Sequence, residues 1–263
     1  MFLSSQAIVV SKVRHTDNTA VVTLYTKQAG SVGFVVRRPN GQRGAAGVSG
    51  SRRRVGQGFN LLQPLTLVHI EWDHRPTATL QHIREVRLLA EPQACQGADG
   101  LTQSLISEVL THALRQENSG ELFPFLVRTL YQDNSYNSQS SNLKFQISNF
   151  KFQISTLIFL AQLASHLGIE PNVESPTRYF DLLNGEYADR QPSHRYYVEG
   201  SDARFVSLLF RLTYSTGQRL HLSPHEHHRA LRGILTYYRL HLPNFPELRT
   251  LAVMKEMILS GEH

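Results

Sequence analysis

The chain has 263 residues, 41% of them apolar, with 27 Lys and Arg against 21 Asp and Glu, which suits one large or two modest packed domains. Its single cysteine, Cys95, excludes a disulfide framework and a cysteine-based zinc cage, and fits a reducing compartment. Residues 1–80 hold ten basic and three acidic side chains, net +7, so the whole excess of +6 lies there and residues 81–263 stand at −1; a positive field localised in this way attracts polyanions, nucleic acid first among them.

The opening run MFLSSQAIVVSK has no basic residue before its short apolar stretch and no small-residue cleavage site, which speaks against a secretory signal. Strand patterns then fill the first ninety residues. Ala7, Ile8, Val9, Val10 and Val13 form one β-branched run. Over 19–26, Val21, Thr23 and Tyr25 alternate with Val22 and Leu24; after Gly30, Val32, Phe34 and Val36 alternate with Ser31, Gly33 and Val35. Apolar residues in both phases suit a small curved barrel. A fourth strand is expected over about 65–72, with Pro64 before it, where a missing N–H is tolerated, and a fifth over 80–89. Five short strands in residues 1–90 predict an OB-fold barrel, a fold whose loops and open face bind oligonucleotides.

Between the third and fourth strands, residues 37–59 are rich in Gly, Ser and Arg and poor in apolar side chains. Arg37, Arg38, Arg43, Arg52, Arg53 and Arg54 lie in this loop. Guanidinium forks match phosphate oxygens and stack on bases, so DNA or RNA contact is expected of them; a solvated loop is the plain alternative. Tyr25 and Phe34 could offer stacking platforms, as in single-strand binders of this fold, but barrel core is the better assignment for both.

From residue 98 the period is helical. Leu101, Leu105, Val109 and Ala113 form one stripe with Ile106, Leu110 and Leu114 beside it, and residues 122–131 form a shorter apolar helix. Residues 132–142 are a Ser/Asn-rich linker. A direct heptapeptide repeat follows over 142–155, NLKFQIS then NFKFQIS. As a helix it aligns Leu143, Ile147, Phe150 and Ile154. Its second copy is read as entering a helix through Phe159 to His166 that stops at Gly168. Two copies are too few for a solenoid, so a local duplication is the reading. The longest apolar stretch, 157–164, is interrupted by Gln162 and too short to span a bilayer; a soluble, cytoplasmic protein is expected. Further on, Phe205, Leu208, Leu209 and Leu212 mark a helix. Ser223-Pro224-His225-Glu226 makes a capping box for another, with Leu231, Ile234, Leu235 and Tyr238, ending before Pro243. A last helix carries Leu248, Leu251, Met254 and Ile258. Residues 98–263 are therefore expected to be an all-helical domain, giving an α+β chain overall.

No glycine-rich loop ends in Gly-Lys-Ser/Thr, and Gly47-Val-Ser-Gly fails as a nucleophile elbow because Ser51 stands where glycine is needed. His221, His225, His227 and His228 crowd one helix start, and His225-Glu226 imitates half of a zinc-protease motif. The second histidine would be residue 229, which is Arg229. Solvated first-turn residues are the preferred reading, a metal-dependent enzyme the weakest alternative. His241, beside Tyr237 and Tyr238, is read as a packing residue. The chain is expected to be no enzyme and to need no cofactor or metal.

Five segments in order resemble the RecO recombination-mediator family: Ala7-Ile-Val-Val through Arg14; Leu24-Tyr-Thr to Gly30; Phe34-Val-Val-Arg-Arg; Leu62-Gln-Pro-Leu-Thr-Leu with Glu85; and Tyr237-Tyr-Arg-Leu-His-Leu-Pro-Asn-Phe, the last as in Bacteroidetes-type members. The resemblance implies an N-terminal OB-fold and a helical C-terminal domain. It implies binding of single- and double-stranded DNA, with Arg14 counted beside the loop arginines, annealing of complementary strands, and help in loading recombinase. RecR and the C-terminal tail of the single-stranded DNA-binding protein are the implied partners, for a chain that is a monomer on its own, in the cytoplasm with the nucleoid and away from membranes. The near-neutral helical domain is where partner contacts are expected, in a groove taking an acidic, apolar-ended peptide. Three features depart from the family. The four-cysteine zinc module that many members carry after the segment here reading Leu167-Gly-Ile-Glu-Pro is missing, the basic loop is long, and the heptapeptide repeat has no expected counterpart. An RNA-binding OB module in translation or ribosome assembly is the alternative from the residues alone.

Overall fold

Strand β1 (Phe2–Arg14) is long enough to serve two neighbours. Its first half, Phe2 to Ile8, pairs antiparallel with β5 (Leu67–Asp73), and its second half, Ala7 to Arg14, pairs antiparallel with β2 (Thr19–Thr26). A register shift between Val9 and Ser11 leaves Val10 as an extra residue; such bulges sharpen strand curvature. β3 (Gly30–Arg37), the two-residue β4 (Arg53–Arg54) and β6 (Ile83–Ala90) complete the order β3-β2-β1-β5-β6-β4. The computed structural model describes residues 1–37, 53–54, 59–91, 100–114, 120–131, 144–217 and 220–260.

Two backbone bonds turn the sheet into a barrel. Val35 N donates to Gln81 O (3.0 Å) and Gln81 N to Gly33 O (2.8 Å), a parallel bridge between β3 and the segment leading into β6. The approach is close, since a Cβ on Gly33 would lie 2.9 Å from Leu80 Cδ2 and the exposed leucine side chain would have to shift to admit it. The buried Gln81 side chain donates to Arg75 O and Ala78 O and accepts from Arg75 N, so its amide is fully satisfied at the closure. Inside, Val9, Val22, Leu24, Phe34, Ile70 and Trp72 form one buried cluster, and the Phe34 and Trp72 rings meet edge-on at 5.8 Å. The five-stranded antiparallel OB barrel expected from the strand pattern is thus the N-terminal fold, with β4 added at an edge.

Ile8, Val10 and Tyr25, in the other phase, are also fully buried, because helices cover the barrel. The chain divides into two compact units, 1–96 with 106–134, and 97–105 with 135–263. Most of α1 (Gly100–Ala113) and all of α2 (Leu122–Tyr131) therefore belong with the barrel, whereas the sequence assigned everything beyond 98 to a second domain. Ser107 Oγ donates to the carbonyl of Val10, the bulge residue (2.6 Å), and the Tyr131 hydroxyl donates to Leu65 O (2.7 Å), where Leu65 is held at φ +63°. Tyr25 packs on Phe123 at 6.2 Å.

The second unit holds α3 (Lys144–His166), α4 (Ser201–Arg211), α5 (Tyr214–Gly217), α6 (Pro224–His241) and α7 (Arg249–Ser260). The helix through the repeat begins at Lys144, inside the first copy, and not in the second as the sequence suggested. The unit is not all-helical: β7 (Tyr179–Asp181), β8 (Glu186–Ala188) and β9 (Tyr197–Glu199) form a three-stranded antiparallel sheet ordered β8-β7-β9. The capping box on α6 forms as expected: Ser223 Oγ accepts from Glu226 N, and Ser223 N donates to the Glu226 carboxylate. The fully buried Tyr238 hydroxyl donates to Leu160 O (2.7 Å), tying α6 to α3. Among the described residues no helix is long and apolar enough to cross a membrane.

Candidate nucleic-acid interface

Strand register decides which arginines meet. Arg14 pairs across from Ala20, and Arg37 across from Thr19, so the ends of β1 and β3 present both at one end of the β1-β2-β3 meander. Both side chains are exposed. Arg14 is ion-paired with Asp17, but the two are 72% and 91% exposed, so the pair is weak and readily exchanged for a phosphate. The backbone of Arg53 lies opposite Val86 and that of Arg54 opposite Glu85, laying the returning chain along β6. Arg38, Arg43 and Arg52 fall outside the described residues.

One anchor escaped sequence reading. Lys12 lies with its Nζ 3.6 Å from the centre of the Phe59 ring, and donates to Phe59 O at 2.8 Å. With Arg14 and Thr19 these residues line a shallow cavity of about 220 Å³ at the barrel rim. A single aromatic residue at the end of a loop otherwise without one was the legible sign that the chain docks there. Tyr25 and Phe34 are both fully buried, and burial pushes the Tyr25 phenol up to about 12. They are core, as their favoured assignment had it, and offer no face to a base.

Around the histidine cluster the other polar side chains are already engaged. Glu226 is engaged by Ser223, whose N–H and hydroxyl bonds hold its carboxyl below the usual range, and Arg229 ion-pairs with Asp202 at 3.1 Å. Among the described residues no three His, Cys, Asp or Glu side chains gather where a metal could bind.

The segment after Leu167-Gly-Ile-Glu-Pro, where the resemblance would place zinc, also lacks a metal's donor set. Asp181, buried at the end of β7, accepts from Leu183 N (2.8 Å), Asn184 N (3.2 Å) and Asn184 Nδ2 (2.8 Å), and lies 3.2 Å from His194 Nε2. Its oxygens are occupied by the turn into β8. Burial pushes this carboxyl up, but the Asn184 and Leu183 N–H groups, the Asn184 amide and His194 together bring it below the ordinary value. Its stabilisation is therefore complete above the ordinary carboxylate pKa and is lost as pH falls through the lowered one. Asp181→Ala is expected to cost about 2 kcal/mol in denaturant unfolding at neutral pH. The difference from wild type should shrink in strong acid, and a difference independent of pH would show that the carboxylate charge is not the lock.

Residues 1–91 match the family model described as Recombination protein O N terminal. These residues are similar to a RecO N-terminal domain. The RecO match ends one residue beyond β6, so it spans the whole strand set of the barrel. The likeness continues through the second unit. The chain is 29% identical over 263 residues to the DNA repair protein RecO of Phocaeicola vulgatus, covering 98% of this chain and 99% of the relative. Over 264 residues it is 29% identical to the DNA repair protein RecO of Bacteroides fragilis, with the same coverage. To that of Porphyromonas gingivalis it is 26% identical over 258 residues, covering 95% and 96%.

Proposed function

We propose that the chain acts in DNA repair as a recombination mediator: it anneals complementary single strands and helps load recombinase on strands coated by single-stranded DNA-binding protein. The observation that carries this reading is a RecO barrel holding net +7 in its first 80 residues, with Arg14 and Arg37 at one end and an arginine-rich loop beginning there. Annealing opposes two phosphate chains. Arg37, Arg38, Arg43, Arg52, Arg53 and Arg54 lower that repulsion through the backbone and leave base edges free to pair. Single- and double-stranded DNA are the ligands, and RecR and the tail of the single-stranded DNA-binding protein are the protein partners, met by a monomeric chain in the cytoplasm.

The test uses complementary oligonucleotides coated with single-stranded DNA-binding protein. Adding the full chain without ATP should yield duplex. Failure at low salt, where phosphate contacts are strongest, would overturn the proposal.

A further inference from the structure

Residues 81–263 sum to −1, yet the fold gathers cations on the second unit. A groove of about 700 Å³ between α6, α7 and the β9 segment is lined by Arg195, His228, Arg229, Arg232, Arg239 and Lys255, against Asp202 and Glu247. Both carboxylates are already engaged, Asp202 by Arg229 and Glu247 by Arg239. Arg195, Arg232 and Lys255 are exposed and have no carboxylate partner among the described residues.

The cations are strung out, not focused on one point. His228, Arg232 and Arg239 lie on one face of α6, the first two about one turn and about 6 Å of rise apart, while Lys255 faces them from α7 and Arg195 from the segment before β9. Arg195 donates to the Tyr196 hydroxyl (3.1 Å) and stacks 5.1 Å from its ring centre; Tyr197 lies beside it in the same wall. Burial, with Arg232, Lys255 and His225, holds His228 below its ordinary value, and Arg195 and Arg239 lower the Tyr196 phenol. The groove is thus a region of positive potential.

Gly233 gives an independent indication. It sits mid-way along α6, where glycine costs about 1 kcal/mol relative to alanine. A Cβ there would meet nothing within 4 Å. No neighbour demands the glycine; it leaves the helix backbone open to the groove, as where a ligand approaches closely.

We propose that this groove binds the sugar–phosphate backbone of single-stranded DNA, a second strand-binding surface on the same chain. A row of cations at helical-turn spacing suits a polymer charged at every unit, and the Tyr196 and Tyr197 rings add platforms on which bases stack; an acidic peptide would use the cations and leave the rings idle. The inference rests on the annealing function proposed above and gives the second strand its own site.

Irradiating the full chain with a thymidine-rich oligonucleotide carrying iododeoxyuridine should give adducts at Tyr196 or Tyr197. In R232A/K255A, the salt slope of binding should flatten by about 1.4, from roughly 0.7 per lost contact. Gly233→Leu should fold as wild type and lower the adduct yield, and bound DNA should raise the proton affinity of His228 in an NMR titration. Adducts confined to residues 1–91 with an unchanged slope would overturn the groove proposal and leave the barrel's role intact. Loss of binding to a poly-glutamate probe in R232A/K255A, with DNA cross-linking unchanged, would also overturn it, in favour of a peptide groove. No oligonucleotide binding by the wild-type chain would instead fail the annealing function itself.

Discussion

Replacing Arg52, Arg53 and Arg54 together by alanine flattens the salt dependence of single-strand binding by about two units of slope. Each phosphate contact on a single strand contributes about −0.7 to the slope of log affinity against log salt, so six loop arginines give about −4 and removal of three leaves about −2. The backbone pairing of Arg53 and Arg54 with Val86 and Glu85 is indifferent to the side chains, so the variant should unfold at the wild-type denaturant concentration. Fluorescence anisotropy with a labelled oligonucleotide at several salt concentrations makes the measurement, and an unchanged slope would remove the loop from the interface. Arg14→Ala should act more weakly, because Arg14 gives up its contact with Asp17 before it can bind a phosphate.

The barrel was legible because its strands carry their own pattern. Val32, Phe34 and Val36 alternate after Gly30, whose φ of +64° needs glycine, and the strands over 19–26 and 30–37 lie where the alternation placed them, whereas the first strand starts five residues earlier, at Phe2, than its apolar run suggested. The α6 start was legible too, since a capping box is local chemistry. The β7–β9 sheet was not. Its strands are three residues each, too short to display a period, and its turn is held by Asp181 and Asn184 through bonds that hydropathy does not register. Helical periodicity in α1 and α2 showed that a face is buried but not against what. The sign was in the strands: Ile8, Val10 and Tyr25 are apolar in the phase that a bare barrel would expose.

The candidate site divides in the same way. Six of its arginines are contiguous enough to be seen as a loop, whereas the approach of Arg14 to the Arg37 end depends on strand register. The groove on the second unit was hidden altogether. Arg195, Arg232 and Lys255 are far apart in sequence, and the sum of −1 over residues 81–263 averages them against carboxylates that lie elsewhere or are already paired. Charge summed along a chain locates a patch only when the patch is local in sequence.

Trp72→Ala should cost about 4 kcal/mol of stability. Trp72 is fully buried in β5, opposite Leu3 of β1 and Ile83 of β6, with its ring against Phe34, and truncating a core aromatic to alanine leaves a cavity worth about 3–5 kcal/mol. Small domains have only about 5–15 kcal/mol in total, so the variant approaches the unfolding threshold, whereas Trp72→Phe keeps most of the volume and should cost much less. Trp72 is the only tryptophan, so its fluorescence reports barrel unfolding in the wild type, with circular dichroism serving both variants. A loss below about 1 kcal/mol would mean that the barrel interior is not close-packed, and would reopen the assignment of Tyr25 and Phe34 to core. DNA binding separates this change from the arginine variant. Trp72→Ala lowers the fraction of chains that can bind while those that remain folded keep the wild-type salt slope; the triple arginine variant keeps every chain folded and changes the slope. Barrel core and basic loop thus fail in different observables, one in how many molecules bind and the other in how each of them holds the phosphates.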